Sequence, residues 1–172
     1  MNNLIYPYQQ KIKTYREIEE IAKSLKEKNI KIVMVSGCYD IVHLGHVRFL
    51  MDAKKAGETL IVSVGSDKNI KAIKGPERPV MNEGYRASML ASLLPVDYVV
   101  IDEEEIDVKS RVNFIKLLTI VRPDFFAVNN TDKSIEAKRT LVRQFGTALR
   151  IVDVTSSAIT STTKILDILN GL

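Results

Sequence analysis

Two histidines, His43 and His46, are the only ones in the chain; they stand three residues apart, with Gly45 between them. They close the polar segment Ser36 to His46, which follows a β-branched run, Lys31 to Val35, and opens a helix expected over about Leu44 to Ala56. A helix N-terminus presents unpaired N–H groups and the positive end of a dipole, so it suits phosphate. Gly45 removes the side chain that would hold a phosphate away from the backbone, and imidazoles at this spacing can face one anion. A triphosphate meets that requirement. The plainer alternative is two partly buried histidines and a turn glycine. Two histidines without further clustered Cys or His make a poor zinc set.

The elements that must position this segment are legible in the hydrophobic periodicity, because short apolar runs alternate with amphipathic stretches along the whole chain. Thr14 and Glu17 form a capping box for a helix over 14–28, with Ile18, Ile21, Ala22 and Leu25 as its stripe and Asn29 as its stop. Strands are expected at 31–35, 60–64, 97–101, 124–128 and 149–153. Helices are expected from Asn82 to about Leu94, then at 108–121 and 133–145, with a last one from about Ser161. Lys68 to Arg78 reads as a basic loop, and Asp102 to Asp107 as a solvated acidic one. Strands apolar on both faces and alternating with helices predict a parallel sheet covered on both sides. Ligands of such sheets bind beyond the carboxyl ends of the strands, where strand order reverses, and that directs attention to residues 36–46.

Composition bounds the rest. The chain has 172 residues, 45% apolar and 27% charged, which suits one domain over 1–172, with an extension and helix at 1–29 and the core at 30–172. No apolar run approaches the length of a membrane span, and Cys38 is the sole cysteine, so a disulfide framework is excluded. The start, Met1 to Tyr8, lacks the features of a signal peptide, and the expected address is the cytoplasm. The net charge of +4 is compatible with an anionic ligand, but its basic residues are scattered and match no nucleic-acid-binding pattern.

Gly37-Cys38-Tyr39-Asp40 followed by His43-Leu44-Gly45-His46 resembles the signature of the cytidylyltransferase-like nucleotidyltransferases. Ser66-Asp67, Lys74 to Val80, Arg86 to Leu90, Val96 to Val100, Arg122-Pro123-Asp124 and Ser161 to Ile165 extend the likeness in order. Together they are similar to the adenylyltransferase domain of bacterial ADP-heptose synthases, with glycerol-3-phosphate cytidylyltransferases more distant. The resemblance implies a Rossmann-like α/β domain: a five-stranded parallel sheet with helices on both faces. It implies transfer of a nucleotidyl group from a nucleoside triphosphate, ATP by preference, to a sugar phosphate or similar phosphorylated small molecule, with Mg²⁺ held mainly by the triphosphate, no protein metal site and pyrophosphate as the leaving group. His43, His46 and Lys74 would be catalytic. Gly37, Cys38, Tyr39, Asp40, Gly45, Ser161, Thr162 and Thr163 would bind nucleotide, and Arg78, Arg86, Asn129 and Asn130 would meet substrate phosphate. A homodimer is the form relatives suggest. A cytidylyltransferase making a CDP-activated alcohol or sugar is the alternative enzyme, and a nucleotide-binding module without turnover the alternative of another class.

Several of these residues have structural readings beside the functional one. Lys74 and Arg78 could lie in water, Arg86 could pair with Glu83, Asp40 and Asp67 could cap local turns, and Ser161 to Thr163 could cap the last helix. Cys38 suits packing better than nucleophilic attack. The chain departs from the heptose enzymes after the fourth strand, where Lys-Gly-Gly-Asp gives way to Val128-Asn129-Asn130-Thr131-Asp132. Asn can take the left-handed backbone that glycine supplies. Ala158-Ile159-Thr160 also replaces the Glu-Gly-apolar segment that helps frame the nucleotide base in relatives.

Overall fold

The computed structural model describes residues 6–106 and 114–154. After a 3-10 turn at Pro7–Lys11, the elements run β1 (Ile12–Lys13), α1 (Tyr15–Glu27), β2 (Ile32–Gly37), α2 (Leu44–Lys54), β3 (Thr59–Gly65), α3 (Asp67–Lys74), α4 (Glu83–Ala91), β4 (Tyr98–Asp102), α5 (Ile115–Val121), β5 (Phe125–Asn129), α6 (Ile135–Gln144) and β6 (Ala148–Val152). The six strands form one sheet in the order β1-β4-β3-β2-β5-β6, and every pairing is parallel. Five strands were expected. The sixth, β1, is a two-residue edge pairing Ile12 with Val99 and Lys13 with Val100, too short to show any period.

Strand order reverses at β2. The chain steps outward from β2 through β3 to β4, then returns to place β5 on the other flank of β2, so a crevice opens beyond the carboxyl ends of β2 and β5. Side chains alternate across each strand and build the two halves of the core. Val33 and Val35 pack with Phe49, Leu50 and Ala53 of α2 and Ala87, Leu90 and Ala91 of α4. Ile32 and Met34 pack on the opposite face with Ile18 and Ala22 of α1, Leu117, Leu118 and Val121 of α5, and Val142 of α6. Among the described residues no helix is long and apolar enough to cross a membrane.

The termini of α1 follow the sequence. Thr14 Oγ1 accepts from the Glu17 N–H while the Thr14 N–H donates to Glu17 Oε2 at 2.8 Å, and Asn29 takes φ +57° just past the helix. Two loops differ from expectation. Most of the stretch read as a basic loop is α3, capped by Ser66 and held by buried Ile70; eight residues carrying three lysines left its apolar side without a visible stripe. The stretch read as a solvated acidic loop begins with Asp102, which ends β4 and is wholly buried. The expected helix over 108–121 is described only from Ile115.

Asp102 accepts from the Tyr15 hydroxyl at 2.5 Å and from Ser63 Oγ at 3.2 Å. Burial nevertheless pushes its carboxyl up to about 6, against the opposing pull of these bonds. The folded protein therefore holds this proton over a range where the unfolded chain, near 3.9, has lost it. Stability from this group is present at low pH and fades as pH rises through 6. Urea unfolding should show wild type losing about 2 kcal/mol more than D102N between about pH 4.5 and 7.5. A wild-type-to-variant difference that does not change with pH would refute the assignment.

Candidate active site

The segment after β2 is held from behind. A Cβ on Gly37 would meet Cε2 of the Tyr39 ring at 2.8 Å, so only glycine lets that ring fold back. Tyr39 itself has φ +48°, in the left-handed region, and its ring is buried. Asp40 is buried and accepts from Arg78 Nε at 2.6 Å, Val80 N–H at 2.7 Å and Met81 N–H at 3.2 Å. Arg86, 0% exposed, donates from Nε to the Met81 carbonyl at 3.0 Å, from Nη1 to the Cys38 carbonyl at 2.6 Å and from Nη2 to Asp67 at 2.7 Å. The pairing of Arg86 with Glu83 is not what forms: Glu83 Oε2 accepts the Asp67 N–H at 2.7 Å. Two buried ties thus fasten the 37–40 segment to residues 78–86.

The histidines occupy the start of α2. His43 is its N-cap, and its Nδ1 accepts the Gly45 N–H at 3.1 Å; His46 Nδ1 accepts the His43 N–H at 3.4 Å. An imidazole nitrogen that accepts carries no proton, so both neutral rings hold theirs on Nε2, leaving two N–H donors for a ligand. The rings stack with centroids 3.9 Å apart. Burial, helped by the neighbouring His43 and Lys74, pushes His46 down to about 4, and burial lowers His43 as well. At neutral pH the pair is uncharged. It can donate to phosphate oxygens without the mutual repulsion of two cations.

Before this pair lies a cleft of about 430 Å³, within the range of small-molecule sites. Gly37, Cys38, Tyr39, His46, Lys74 and Asn129 line it, so these predicted residues are brought together. His43 reaches the group through its stack on His46. Gly45 is buried at the helix start. Asp40, Arg78 and Arg86 stand behind the cleft rather than in its wall, each bonded within the protein. Asn130 turns toward β6, donating to Asp153 at 2.8 Å and accepting the Val154 N–H at 3.3 Å. Ser161, Thr162 and Thr163 lie outside the described residues.

The wall also contains residues that motif reading passed over: Ser63 and Asn69 on the β3–α3 side, and Thr131, Asp132, Ser134 and Lys138 on the β5–α6 side. Lys138 had a signal. It sits among Ile135, Leu141 and Val142 on the inward stripe of α6, where a lysine is out of place unless it has a task.

A crevice at a topological switch point, floored by a glycine-bearing loop and a histidine-capped helix, defines a nucleotide-binding α/β domain. Residues 34–167 match the family model described as cytidylyltransferase-like, and the chain belongs to that family. It is 38% identical over 161 residues to the bifunctional protein HldE of a Nitratiruptor species, covering 94% of this chain and 32% of that protein. The HldE protein of Sulfurimonas denitrificans is 36% identical over 160 residues, covering 93% and 31%. The chain thus spans about a third of the length of these relatives. Among solved structures it is similar to the lipopolysaccharide core biosynthesis protein from Thermoplasma volcanium, at a TM-score of 0.60 and 27% identity over 73% of this chain and 97% of that one. The fold is also that of a pantoate-beta-alanine ligase from Francisella tularensis, at a TM-score of 0.63 and 18% identity over 94% and 78%.

Proposed function

We propose that the cleft binds a nucleoside triphosphate, with ATP the preferred donor, and transfers its nucleotidyl group to a phosphorylated small molecule such as a sugar phosphate. The observation that carries this reading is the stacked, neutral His43–His46 pair, of which His46 lines the switch-point cleft together with Lys74. A phosphate oxygen of the acceptor bonds to the α-phosphorus, the bond to the bridging oxygen breaks, and pyrophosphate leaves with that electron pair. The acceptor oxygen is already ionised, so no general base is required. What the protein must supply is alignment and donors aimed at the oxygens where charge gathers. The two imidazoles donate to the α-phosphate, and Lys74 supplies the positive charge that His43 and His46 do not. Ser161, Thr162 and Thr163 are assigned to the β- and γ-phosphates.

Among the described residues no group of three or more His, Cys, Asp or Glu is placed to hold a metal. In this reading Mg²⁺ arrives on the triphosphate and would neutralise the departing pyrophosphate. Preference for ATP rests on the resemblance of the flanking segments to ADP-heptose synthases. CTP is kept as the second donor because Ala158-Ile159-Thr160 departs from relatives in the segment that frames the base.

Pyrophosphate release, measured with Mg²⁺ and either ATP or CTP against a panel including heptose 1-phosphate and glycerol 3-phosphate, tests this reading. Acceptor-dependent release with one pairing, lost in His46→Ala, is expected. Nucleotide binding with no release from any acceptor would favour a module that binds without turnover.

A further inference from the structure

α3 carries Lys74 into the cleft, and little apolar surface holds it there. Of its eight residues only Asn69 and Ile70 are buried. Burial of Ile70 draws the helix onto the core, but hydrophobic attraction has no direction and leaves the roll and slide of so short a helix weakly fixed. The first turn is tied at Asp67, which accepts from Arg86 Nη2 at 2.7 Å. The middle of the helix is held by an amide.

Asn69 is 3% exposed, and its side chain bonds to the backbone leaving β4. Nδ2 donates to the Glu104 carbonyl at 2.7 Å and, less closely, to the Asp102 carbonyl at 3.4 Å, while Oδ1 accepts the Ile106 N–H at 3.2 Å. Asn69 thus pairs with this stretch much as a neighbouring strand would. A donor and an acceptor engaged on one planar amide fix both the distance and the roll of the helix that carries them. The Ser66 N–H adds a bond to the same Asp102 carbonyl at 3.1 Å, and the Asp102 carboxyl is fixed in turn by the Tyr15 and Ser63 hydroxyls and the Glu104 N–H. Both sides of the clamp reach the cleft. Ile73, one turn beyond Asn69, and Lys74 line it from the helix, and Ile106 lines it from the loop.

We propose that Asn69 is a positioning residue for Lys74: by clamping α3 to residues 104–106 it holds the lysine in its place in the cleft wall. This inference rests on the nucleotidyl-transfer reading for the task of Lys74. In a site that works by alignment, a misplacement of about 1 Å can cost on the order of a hundredfold in rate, so a loosened clamp lowers turnover even in a domain that stays folded.

The test is a double-mutant cycle of Asn69 with Lys74, read on the affinity for α,β-methylene ATP with Mg²⁺ and on kcat/KM with whichever donor and acceptor turn over. N69A should weaken binding about fivefold and lower kcat/KM at least about tenfold, yet change neither by more than about twofold in a K74M background, because a displaced lysine and a missing one are then equivalent. N69S, whose hydroxyl both donates and accepts, should recover part of the loss, and it carries the same cycle should N69A unfold. V121A, a core truncation on α5, lowers stability and should leave both readouts within about twofold of wild type. Equal losses from N69A with and without Lys74, or no loss at all, would overturn the proposal. Hydrogen exchange on the free protein checks the clamp by itself. N69A should speed exchange of the amides of 67–74 and 104–106 at least about tenfold and leave those of α2 unchanged; unaltered rates at 67–74 would also overturn it. An analogue bound equally by wild type and K74M, or not bound by wild type, would instead refute the place of Lys74 in the nucleotidyl reading, and the exchange rates would still decide whether Asn69 positions α3.

Discussion

Replacement of His46 by alanine is expected to lower kcat/KM at least about a hundredfold, the scale on which a single transition-state hydrogen-bond donor acts. His46 lines the cleft, and its Nε2–H is the donor freed when Nδ1 accepts the His43 N–H. The fold should survive, because the bond forfeited is long, at 3.4 Å, and helix-cap losses are about 1 kcal/mol. Steady-state kinetics beside urea unfolding separates the two effects. H46N keeps a donor on a shorter side chain and should recover part of the loss. Activity within threefold of wild type in H46A would remove His46 from the mechanism.

The same geometry fixes a sign for pH. With His46 lowered to about 4 in the free protein, the neutral donor form persists throughout the range where an ordinary histidine near 6.5 would titrate. The kcat/KM profile should therefore show no fall assignable to His46 between about pH 8 and 6. A triphosphate brings negative charge against both rings, which favours their protonated forms and raises both values in the complex. The two profiles should differ, with kcat responding at higher pH than kcat/KM.

Most of what locates this site was legible before any coordinates. The alternation of apolar runs and amphipathic stretches gave the parallel sheet, and the Thr14–Glu17 box and Asn82 cap sit where local chemistry placed them. His43, Gly45 and His46 stood out because their types and spacing are rare together. What escaped depends on long-range contact. Nothing near Arg86 in sequence announces that its partners are the carbonyls of Cys38 and Met81 and the carboxylate of Asp67. Asp102 sits in a run of acidic residues, and only its position at the inner end of β4, against Tyr15 and Ser63, separates it from its solvated neighbours. α3 was missed because its lysines face outward and only Ile70 and Asn69 are buried.

Arg86→Met should destabilise the protein by about 3–5 kcal/mol, the range for removing one partner of a buried ion pair. The guanidinium is wholly buried and makes three bonds that converge from α3, the 37–40 segment and the stretch before α4. Methionine fills much of the stem's volume but leaves Asp67 without its cation and two carbonyls without a donor. Against a total stability of about 5–15 kcal/mol, that loss is a large fraction. R86K should recover little, since one ammonium on a flexible stem cannot reproduce a planar fork spanning three acceptors. D67N/R86M removes the uncompensated carboxylate and should be more stable than R86M alone, the coupling that a double-mutant cycle reads directly. Urea unfolding of wild type, R86M, R86K, D67N and D67N/R86M gives these values. A cost below about 1 kcal/mol for R86M would show that the 37–40 segment is held chiefly by Asp40 with Arg78, Val80 and Met81. The larger cost would make Arg86 a positioning residue: with the Cys38 carbonyl released, the loop that carries Gly37, Cys38 and Tyr39 into the cleft loses its tie to α4, and nucleotide affinity should fall in variants that still fold.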